Sequence, residues 1–344
     1  MNNDLKEILK RQRAFWLRAK TNKPLMLTKP FKAYEPSEPF RLKNGSLTQG
    51  KVQLNPGMVD PFYTLNKKWP VQIVEQDFVN SWNVYDMSWM EAILGCSIVT
   101  LDGSIWAEPC LTNWKELDEV LSKAPTLWFD ELLSVHKILV LEAKKEKLPV
   151  GHPLLRGPLD IAAGMLGDTG LCEAAKVCPD KLGKLLNRCT EIFIRTVDSL
   201  ISETPRLEEG YCLLSDWGLW APGTTIRFQE DIGGLFSPEM YSEQFLKFDR
   251  IIAQHFDFAT FALHSSSVHL VPLYLTIPEL KMIEITMDVA PFGPVPMELL
   301  EVFCLVQEKG KCLLITGCAK QSELEQLKKN LSSVGLAIRV GILD

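Results

Sequence analysis

Several features that often identify a protein's class are missing from this 344-residue chain. No apolar run is long enough to cross a bilayer, and residues 1–20 are charged and amphipathic, unlike a signal peptide. The formal net charge is −6 with acids and bases interspersed, so no lysine and arginine block is dense enough to bind nucleic acid. These absences predict a cytoplasmic globular protein that binds neither membranes nor nucleic acid.

Thiol and nucleotide fingerprints are also missing. The nine cysteines are an odd number and form no CxxC pair, so we expect neither a disulfide framework nor a thiolate zinc knuckle. The chain contains no GxGxxG and no GxxxxGK[ST], which mark dinucleotide and phosphate binding in open α/β sheets. We therefore expect mostly buried, reduced thiols and a fold of another kind.

From Asn113 onward, helical segments alternate with short apolar strands, which is typical of parallel α/β architecture. Counting strands from Leu25 gives about eight, and this count predicts a (β/α)8 TIM barrel. Residues 30–110 are rich in proline and aromatics, and we interpret them as an irregular cover over the barrel mouth within a single domain of residues 1–344. Within the cover, the sequence predicts a helical piece near 71–80 and a hairpin turning at Asp102-Gly103.

The stretch 226–269 predicts a compact strand, helix, strand unit. Ser237-Pro238 is a helix start, because serine caps the first amides and proline lacks an amide that needs a partner. The helix is predicted over 238–255, and the following strand ends on His264. Glu230, Glu243 and His264 therefore fall on consecutive pieces of one unit.

In a TIM barrel the carboxyl ends of the strands form the active site, so polar residues at those ends predict an enzyme. These ends carry Asp216, Trp217, Gln229, Glu230, Asp231, His264, Ser265, Ser266, Asp288 and the run Thr316 to Cys318. Trp89, with Trp82 and Trp106, predicts either an apolar wall for a ligand or ordinary core packing.

Six segments from residue 156 onward carry a resemblance to a known family: RGPLDIAAGMLGD, CPDKLGKLLNRCTEIF, GLFSPEMYSEQFLKFDRII, FALHSSS, LKMIEITMD and LLITG. Their order and spacing resemble the uroporphyrinogen decarboxylase-like superfamily, which implies a TIM barrel. The decarboxylase itself carries RQAGR near its N-terminus, but here Arg11-Gln12-Arg13-Ala14 is not followed by Gly-Arg. Thiol methyltransferases of the superfamily carry a His-x-Cys pair, but this chain has His264-Ser265-Ser266.

The chain is most similar to the branch of corrinoid-dependent methyltransferases of the O-demethylase type. That resemblance implies a zinc ion bound by two glutamates and a histidine, carried here by Glu230, Glu243 and His264. It also implies methyl transfer from a methoxy-aromatic or methylamine-like substrate to the cobalt of a corrinoid (cobalamin) on a partner protein, with zinc as Lewis acid.

The remaining candidates complete the predicted site. Asp288 and Asp231 are expected to support a metal ligand or position the substrate, and Trp217, Gln229, Trp89 and Ser266 are expected to contact it. A homodimer is expected, because barrels of this size commonly pair.

Other interpretations stay open at this point. Each of three candidates also has a purely structural alternative. Glu243 would stabilise the N-terminal turn of a helix, His264 would be a buried core residue, and Asp288 would cap a loop. The chain would then be a metal-free lyase, such as a decarboxylase of a small cyclic or aromatic acid with Asp288 or Asp231 as proton donor, or a non-catalytic ligand-binding relative.

Overall fold

The computed structural model describes residues 3–32, 39–60, 72–213, 218–289 and 292–343. The predicted substrate contact Trp217 lies outside these ranges. The strands within them are β1 (Leu25–Pro30), β2 (Val52–Leu54), β3 (Val74–Glu75), β4 (Phe78–Val79), β5 (Ser97–Leu101), β6 (Ser104–Glu108), β7 (Leu155–Arg156), β8 (Tyr211–Cys212), β9 (Trp220–Ala221), β10 (Thr225–Gln229), β11 (Phe258–His264), β12 (Leu280–Met287), β13 (Cys312–Lys320) and β14 (Leu336–Leu343).

Helices separate most of the strands of the main sheet. They are α1 (Asn3–Trp16), α2 (Trp89–Ile93), α3 (Leu117–Ser122), α4 (Leu127–Glu146), α5 (Pro158–Leu166), α6 (Asp168–Val177), α7 (Pro179–Glu203), α8 (Pro238–Gln244), α9 (Leu246–His255), α10 (Val271–Tyr274), α11 (Leu300–Glu308) and α12 (Gln321–Asn330). None of these helices is long and apolar enough to span a membrane.

The main sheet has seven strands in the order β1-β14-β13-β12-β11-β10-β7, and every pairing is parallel. Neighbouring strands in this order mostly follow each other in sequence, with a helix between them, as expected for repeated βαβ units. The predicted α/β class with a parallel sheet is therefore confirmed.

The two edges of the sheet, β1 and β7, do not pair with each other in the described residues, so a closed eight-stranded barrel stays a prediction. Residues 77–82 make isolated hydrogen bonds to β1 and to the segment that precedes β7. The amide of Asp77 donates to the carbonyl of Met26 (3.4 Å), and the amide of Trp82 donates to the carbonyl of Pro149 (2.9 Å). This arrangement is compatible with a barrel-like sheet.

The two faces of the sheet pack against different partners, because successive side chains of a strand point in opposite directions. On β12, Ile283 and Ile285 belong to the large core shared with the helices. Met282 instead packs with Leu25 and Cys312 in a separate cluster, which α1 covers with Trp16. This second cluster fills the amino end of the inner face and leaves the carboxyl end for polar residues.

The cover contains a three-stranded antiparallel sheet in the order β2-β5-β6. The predicted hairpin at Asp102-Gly103 is confirmed, and both residues have positive φ values of 49° and 82°. Phe40, Leu54 and Ile98 share the large core with the main sheet. The assignment of residues 1–344 to one domain stays a prediction.

Two predicted helices are corrected by the structure. In the described part of 71–80, β3 and β4 pair antiparallel around Gln76, whose φ of 51° is incompatible with a helix. The predicted helix 238–255 is divided into α8 and α9 at Phe245, where φ is −114°. At this break the Phe245 ring packs edge-on against Phe236, with ring centroids 4.8 Å apart.

Candidate functional site

Polar side chains occupy the inner face near the carboxyl ends of the main strands. The strand register places His264 beside Thr286 and Thr286 beside Thr316, while Gln229 lies beside Arg156 on the other side. The hydroxyls of Thr286 and Thr316 are 2.8 Å apart and hydrogen bonded. Carboxyl ends of parallel strands are where ligands bind in α/β proteins, so this edge is the candidate active site.

His264 and Asp288 form a hydrogen-bonded pair at this edge. The Nδ1 atom of His264 lies 2.7 Å from Oδ1 of Asp288, and the imidazole is half exposed. The other carboxylate oxygen of Asp288 accepts hydrogen bonds from the amide (3.1 Å) and the hydroxyl (2.8 Å) of Ser265. A carboxylate at Nδ1 fixes the ring and places the proton on that nitrogen. Nε2 is then the atom that exchanges a proton with a bound molecule.

A chain of hydrogen bonds connects the buried interior to the surface of the site. Arg227 and Glu284 form a bidentate ion pair, with Nε to Oε2 at 2.8 Å and Nη2 to Oε1 at 3.1 Å. Nη1 of Arg227 donates to the side-chain oxygen of Gln229 (2.6 Å), whose amide nitrogen donates to Oδ2 of Asp231 (2.6 Å). Gln229 and Asp231 therefore have fixed positions at the rim of the site.

A buried histidine supports the strand that carries this network. The amide of Arg227 donates to Nε2 of His152 (3.1 Å), and Nδ1 of His152 lies 2.8 Å from the carbonyl of Pro153. Burial lowers the pKa of His152 to about 4, so the ring is neutral at physiological pH.

Arg156 lies at the candidate site but was not among the site residues predicted from the sequence. It ends β7 with 46% of its side chain exposed, and Nη1 lies 3.2 Å from Oε1 of the buried Glu91. Burial raises the pKa of Glu91. The available signal was the position of Arg156 at a strand end, directly before the helix start Gly157-Pro158, within a segment that carries the family resemblance.

Glu230 and Asp160 lie on the helix side of the sheet, and the carboxyl group of each accepts hydrogen bonds from backbone amides of the segment that carries the other. The carboxyl oxygens of Glu230 accept hydrogen bonds from the amides of Leu159 (3.1 Å) and Asp160 (2.8 Å), which begin α5. The carboxyl oxygens of Asp160 accept from the amides of Asp231 (3.0 Å) and Ile232 (2.9 Å). Burial raises the pKa of Asp160 to about 7 and that of Glu230 well above its ordinary value.

Asp249 on α9 is the third carboxyl group of this buried cluster. It accepts a hydrogen bond from the Tyr241 hydroxyl (2.8 Å) and also bonds to Glu230. Burial raises the pKa of Asp249 to about 8. The cluster of Asp160, Glu230 and Asp249 therefore joins α5, β10 and α9 and has a structural role.

The structure does not bring the three predicted zinc ligands together. Glu230 is buried against the amides of α5, Glu243 is exposed on α8, and His264 is bonded to Asp288. The described residues contain no group of three or more His, Cys, Asp or Glu side chains placed to hold a metal ion. These three residues do not fit a zinc ion, and we assign no step of the reaction to one.

Of the other predicted substrate contacts, Ser266 is exposed and Trp89 is buried. Ser266 is exposed two residues after His264. Trp89 is buried, donates through Nε1 to the carbonyl of Tyr85 (2.8 Å) and packs edge-on against Trp128. Its side chain belongs to the large core, which agrees with the core-packing alternative for the aromatic cluster.

Comparisons with known proteins give one informative result. No protein-family model and no curated protein matches the chain. Among solved structures, a methyltransferase from Methanosarcina mazei is similar, with a TM-score of 0.58 and 12% sequence identity. The similarity covers 97% of this chain and 93% of that chain. At this identity the likeness shows the fold, and it supports the predicted α/β architecture along nearly the whole chain.

Proposed function

We propose that this protein is a methyltransferase that acts on a small molecule at the carboxyl ends of the parallel strands. The observation that carries the proposal is the His264–Asp288 pair, which presents a fixed imidazole Nε2 at that edge. The likeness to a methyltransferase over 97% of the chain supports the reaction class. A proton donor assists the departure of an oxygen or nitrogen atom from a methyl group, and this pair is placed to supply one.

His264 acts on the leaving heteroatom. When a methyl group leaves an oxygen or nitrogen, that atom gains an electron pair and is stabilised by a proton. Protonated His264 donates this proton from Nε2, while Asp288 holds the opposite nitrogen and stabilises the imidazolium charge. General acid catalysis of this kind contributes roughly 10²–10⁴-fold to a rate.

The proposed acceptor is a reduced corrinoid carried by a partner protein, and the proposed donor is a methoxy-aromatic or methylamine-like compound. Both follow from the family resemblance in residues 156–317. The acceptor supplies the electron pair that forms the new bond to the methyl carbon. The chain's own residues bind and orient the donor, with Gln229 and Asp231 held at the rim by the network from Arg227.

The test is a methyl transfer assay with the purified full-length chain. Methoxy-aromatic compounds and methylamines are incubated with the chain and reduced cobalamin, and methyl-cobalt formation is followed by its visible spectrum. We expect one donor class to react and His264→Gln to lower the rate by about 10²–10⁴-fold. The matched control is His255→Gln, because His255 also bonds to an aspartate, Asp198 (2.9 Å), but on the surface of α9.

Two results would contradict the proposal. One is the absence of methyl transfer with every donor class, using both free reduced cobalamin and a corrinoid protein as acceptor. The other is a His264→Gln variant that reacts as fast as the wild type.

A second candidate function is a lyase that decarboxylates a small cyclic or aromatic acid. The half-exposed guanidinium of Arg156 at the end of β7 favours it, because arginine binds carboxylates through two parallel hydrogen bonds. Asp231 would then deliver the proton that replaces carbon dioxide. Carbon dioxide release from such acids, lost in Arg156→Gln, with no methyl transfer in the assay above, would select this function.

A further inference from the structure

Two cysteines of the cover lie in direct contact. The sulfur atoms of Cys96 and Cys110 are 3.0 Å apart and hydrogen bonded. Cys96 directly precedes β5 and Cys110 follows β6 by two residues, and these two strands form the hairpin in which Ser97 lies opposite Glu108. The two thiols therefore meet at the open end of one hairpin, although 14 positions separate them in the sequence.

Backbone hydrogen bonds hold both residues in place. The amide of Cys96 donates to the carbonyl of Glu91 (2.9 Å) in α2, and the amide of Cys110 donates to the carbonyl of Met165 (3.0 Å) in α5. The thiol contact is thus fixed by two helices and a hairpin. A disulfide bond has a sulfur separation of about 2.05 Å, so bonding requires the sulfurs to approach by about 1 Å.

The two thiols differ in a way that suits an exchange reaction. Cys96 is buried, whereas Cys110 is only half-buried and can be reached from solvent. The hydrogen bond from Cys96 lowers the pKa of the Cys110 thiol, while the same contact and burial raise the pKa of Cys96. The thiolate is the form that attacks a disulfide, so Cys110 is the attacking sulfur and Cys96 the resolving one.

We propose that Cys96 and Cys110 are a site of reversible oxidation that forms an internal disulfide when it reacts with a small disulfide such as glutathione disulfide. The thiolate of Cys110 attacks one sulfur of glutathione disulfide, forms a mixed disulfide and releases one glutathione thiolate. Cys96 then gives up its proton and attacks the Cys110 sulfur, and the second glutathione leaves. Two protein thiols are oxidised, and one glutathione disulfide is reduced to two glutathione molecules.

Disulfide mapping of the folded full-length chain tests this proposal. The protein is incubated with glutathione disulfide, the remaining thiols are alkylated, and the chain is digested with trypsin. The tryptic peptide 69–115 contains both cysteines and no others, so a second protease that cleaves at Asp102 separates them. We expect the two fragments to remain joined until dithiothreitol is added.

Three variants identify the role of each sulfur. Cys96→Ser should retain glutathione on Cys110, because the mixed disulfide has no resolving thiol. Cys110→Ser should take up no glutathione at Cys96, because Cys96 is buried. Cys304→Ser is the matched control, since Cys304 is also half-buried but lies on α11, and it should form the Cys96–Cys110 bond like the wild type.

The wild-type result decides the proposal even if a variant fails to fold. The proposal is wrong if both thiols of peptide 69–115 are alkylated after incubation with glutathione disulfide. It is also wrong if Cys110 forms its bond with another cysteine, such as the buried Cys189, or only retains glutathione.

Discussion

Arg227 on β10 and Glu284 on β12 form a buried bidentate ion pair that passes over the intervening strand β11. The side chains are 5% and 0% exposed, and they lie one layer below His264 and Thr286 on the inner face. The pair therefore lies beneath the candidate site. It also begins the hydrogen-bond chain to Gln229 and Asp231, so stability and site geometry depend on the same two residues.

Removal of one partner of this pair should destabilise the protein strongly. Arg227→Met leaves the Glu284 carboxylate buried without its counter-charge, which typically costs about 3–5 kcal/mol of unfolding free energy. Arg227→Met combined with Glu284→Leu should recover most of that loss, because both charges of the pair are then removed from the interior. Urea unfolding measures both variants. Lys328→Ala is the control, since its ion pair with Glu325 lies on the surface.

If the single and double variants lose equal stability, the pair does not act as a unit, and packing around Arg227 explains the loss. The hydrogen-bond chain gives a second readout. The double variant should fold, but its KM for the methyl donor in the methyl transfer assay should be higher than that of the wild type. The reason is that Gln229 loses the hydrogen-bond donor that fixes its side chain.

Asp288 should affect the reaction through the protonation of His264. Asp288→Asn keeps the shape of the side chain but removes the negative charge that stabilises the imidazolium form. We expect the rate of methyl transfer to fall by at least about 10²-fold. Asp198→Asn, which removes the equivalent partner of His255, should leave the rate unchanged.

The buried carboxyl cluster predicts a loss of stability as the pH rises. Burial raises the pKa of Asp249 from 3.8 to about 8 and that of Asp160 to about 7. The folded state then binds more protons than the unfolded state between about pH 4 and pH 8. Unfolding free energy therefore falls across that window, by about 1.4 kcal/mol per pH unit for each group that titrates.

Urea unfolding at a series of pH values checks this slope. Asp249→Asn should flatten it, because asparagine still accepts the hydrogen bond from Tyr241 but carries no ionisable group. Asp257→Asn is the matched control, since Asp257 lies on the surface two residues after α9 and accepts hydrogen bonds from Thr224. A slope that is equal in the wild type and Asp249→Asn would show that Asp249 is ionised in the folded protein.

The buried histidines predict that the unfolding free energy decreases as the pH falls on the acidic side. Burial lowers the pKa of His136 and of His152 from 6.5 to about 4. The unfolded state binds more protons between about pH 6.5 and pH 4, so stability is present above this window and is lost as the pH falls through it. His136→Gln should reduce the slope of unfolding free energy against pH on the acidic side. A slope equal to or steeper than that of the wild type would contradict a neutral, buried His136. His255→Gln, a surface substitution, is the control.

Local sequence patterns predicted most of the sheet. Strands β10 to β14 were visible as short apolar runs between helical segments, and the helix start at Ser237-Pro238 is confirmed by the hydrogen bond from the Met240 amide to the Ser237 hydroxyl. The break at Phe245, where the ring packs against Phe236, was not predicted from periodicity. The Arg227–Glu284 pair was also missed, since its partners lie 57 positions apart.

Strand geometry explains why the predicted metal ligands Glu230 and His264 lie apart in the structure. Side chains alternate along β10, so Arg227 and Gln229 share the inner face and Glu230 continues on the helix side. His264 lies on the inner face of β11. Glu230 and His264 therefore lie on opposite sides of the sheet, and a spacing rule that ignores the period of two brings them together incorrectly.

Glu243 gives the sharpest test of this geometric account against the predicted zinc site. The residue is exposed on α8, and the described residues around it provide no metal-binding group. We expect Glu243→Ala to keep the wild-type rate of methyl transfer and the wild-type urea midpoint, while His264→Ala loses the activity. Ser242→Ala, an exposed neighbour, is the control.

Elemental analysis of the same preparations adds an independent measurement. If the wild type contains about one zinc per chain and both Glu243→Ala and His264→Ala lose it, as expected for a three-ligand site, then α8 must approach β11 in the active protein and the arrangement described above is not the catalytic one.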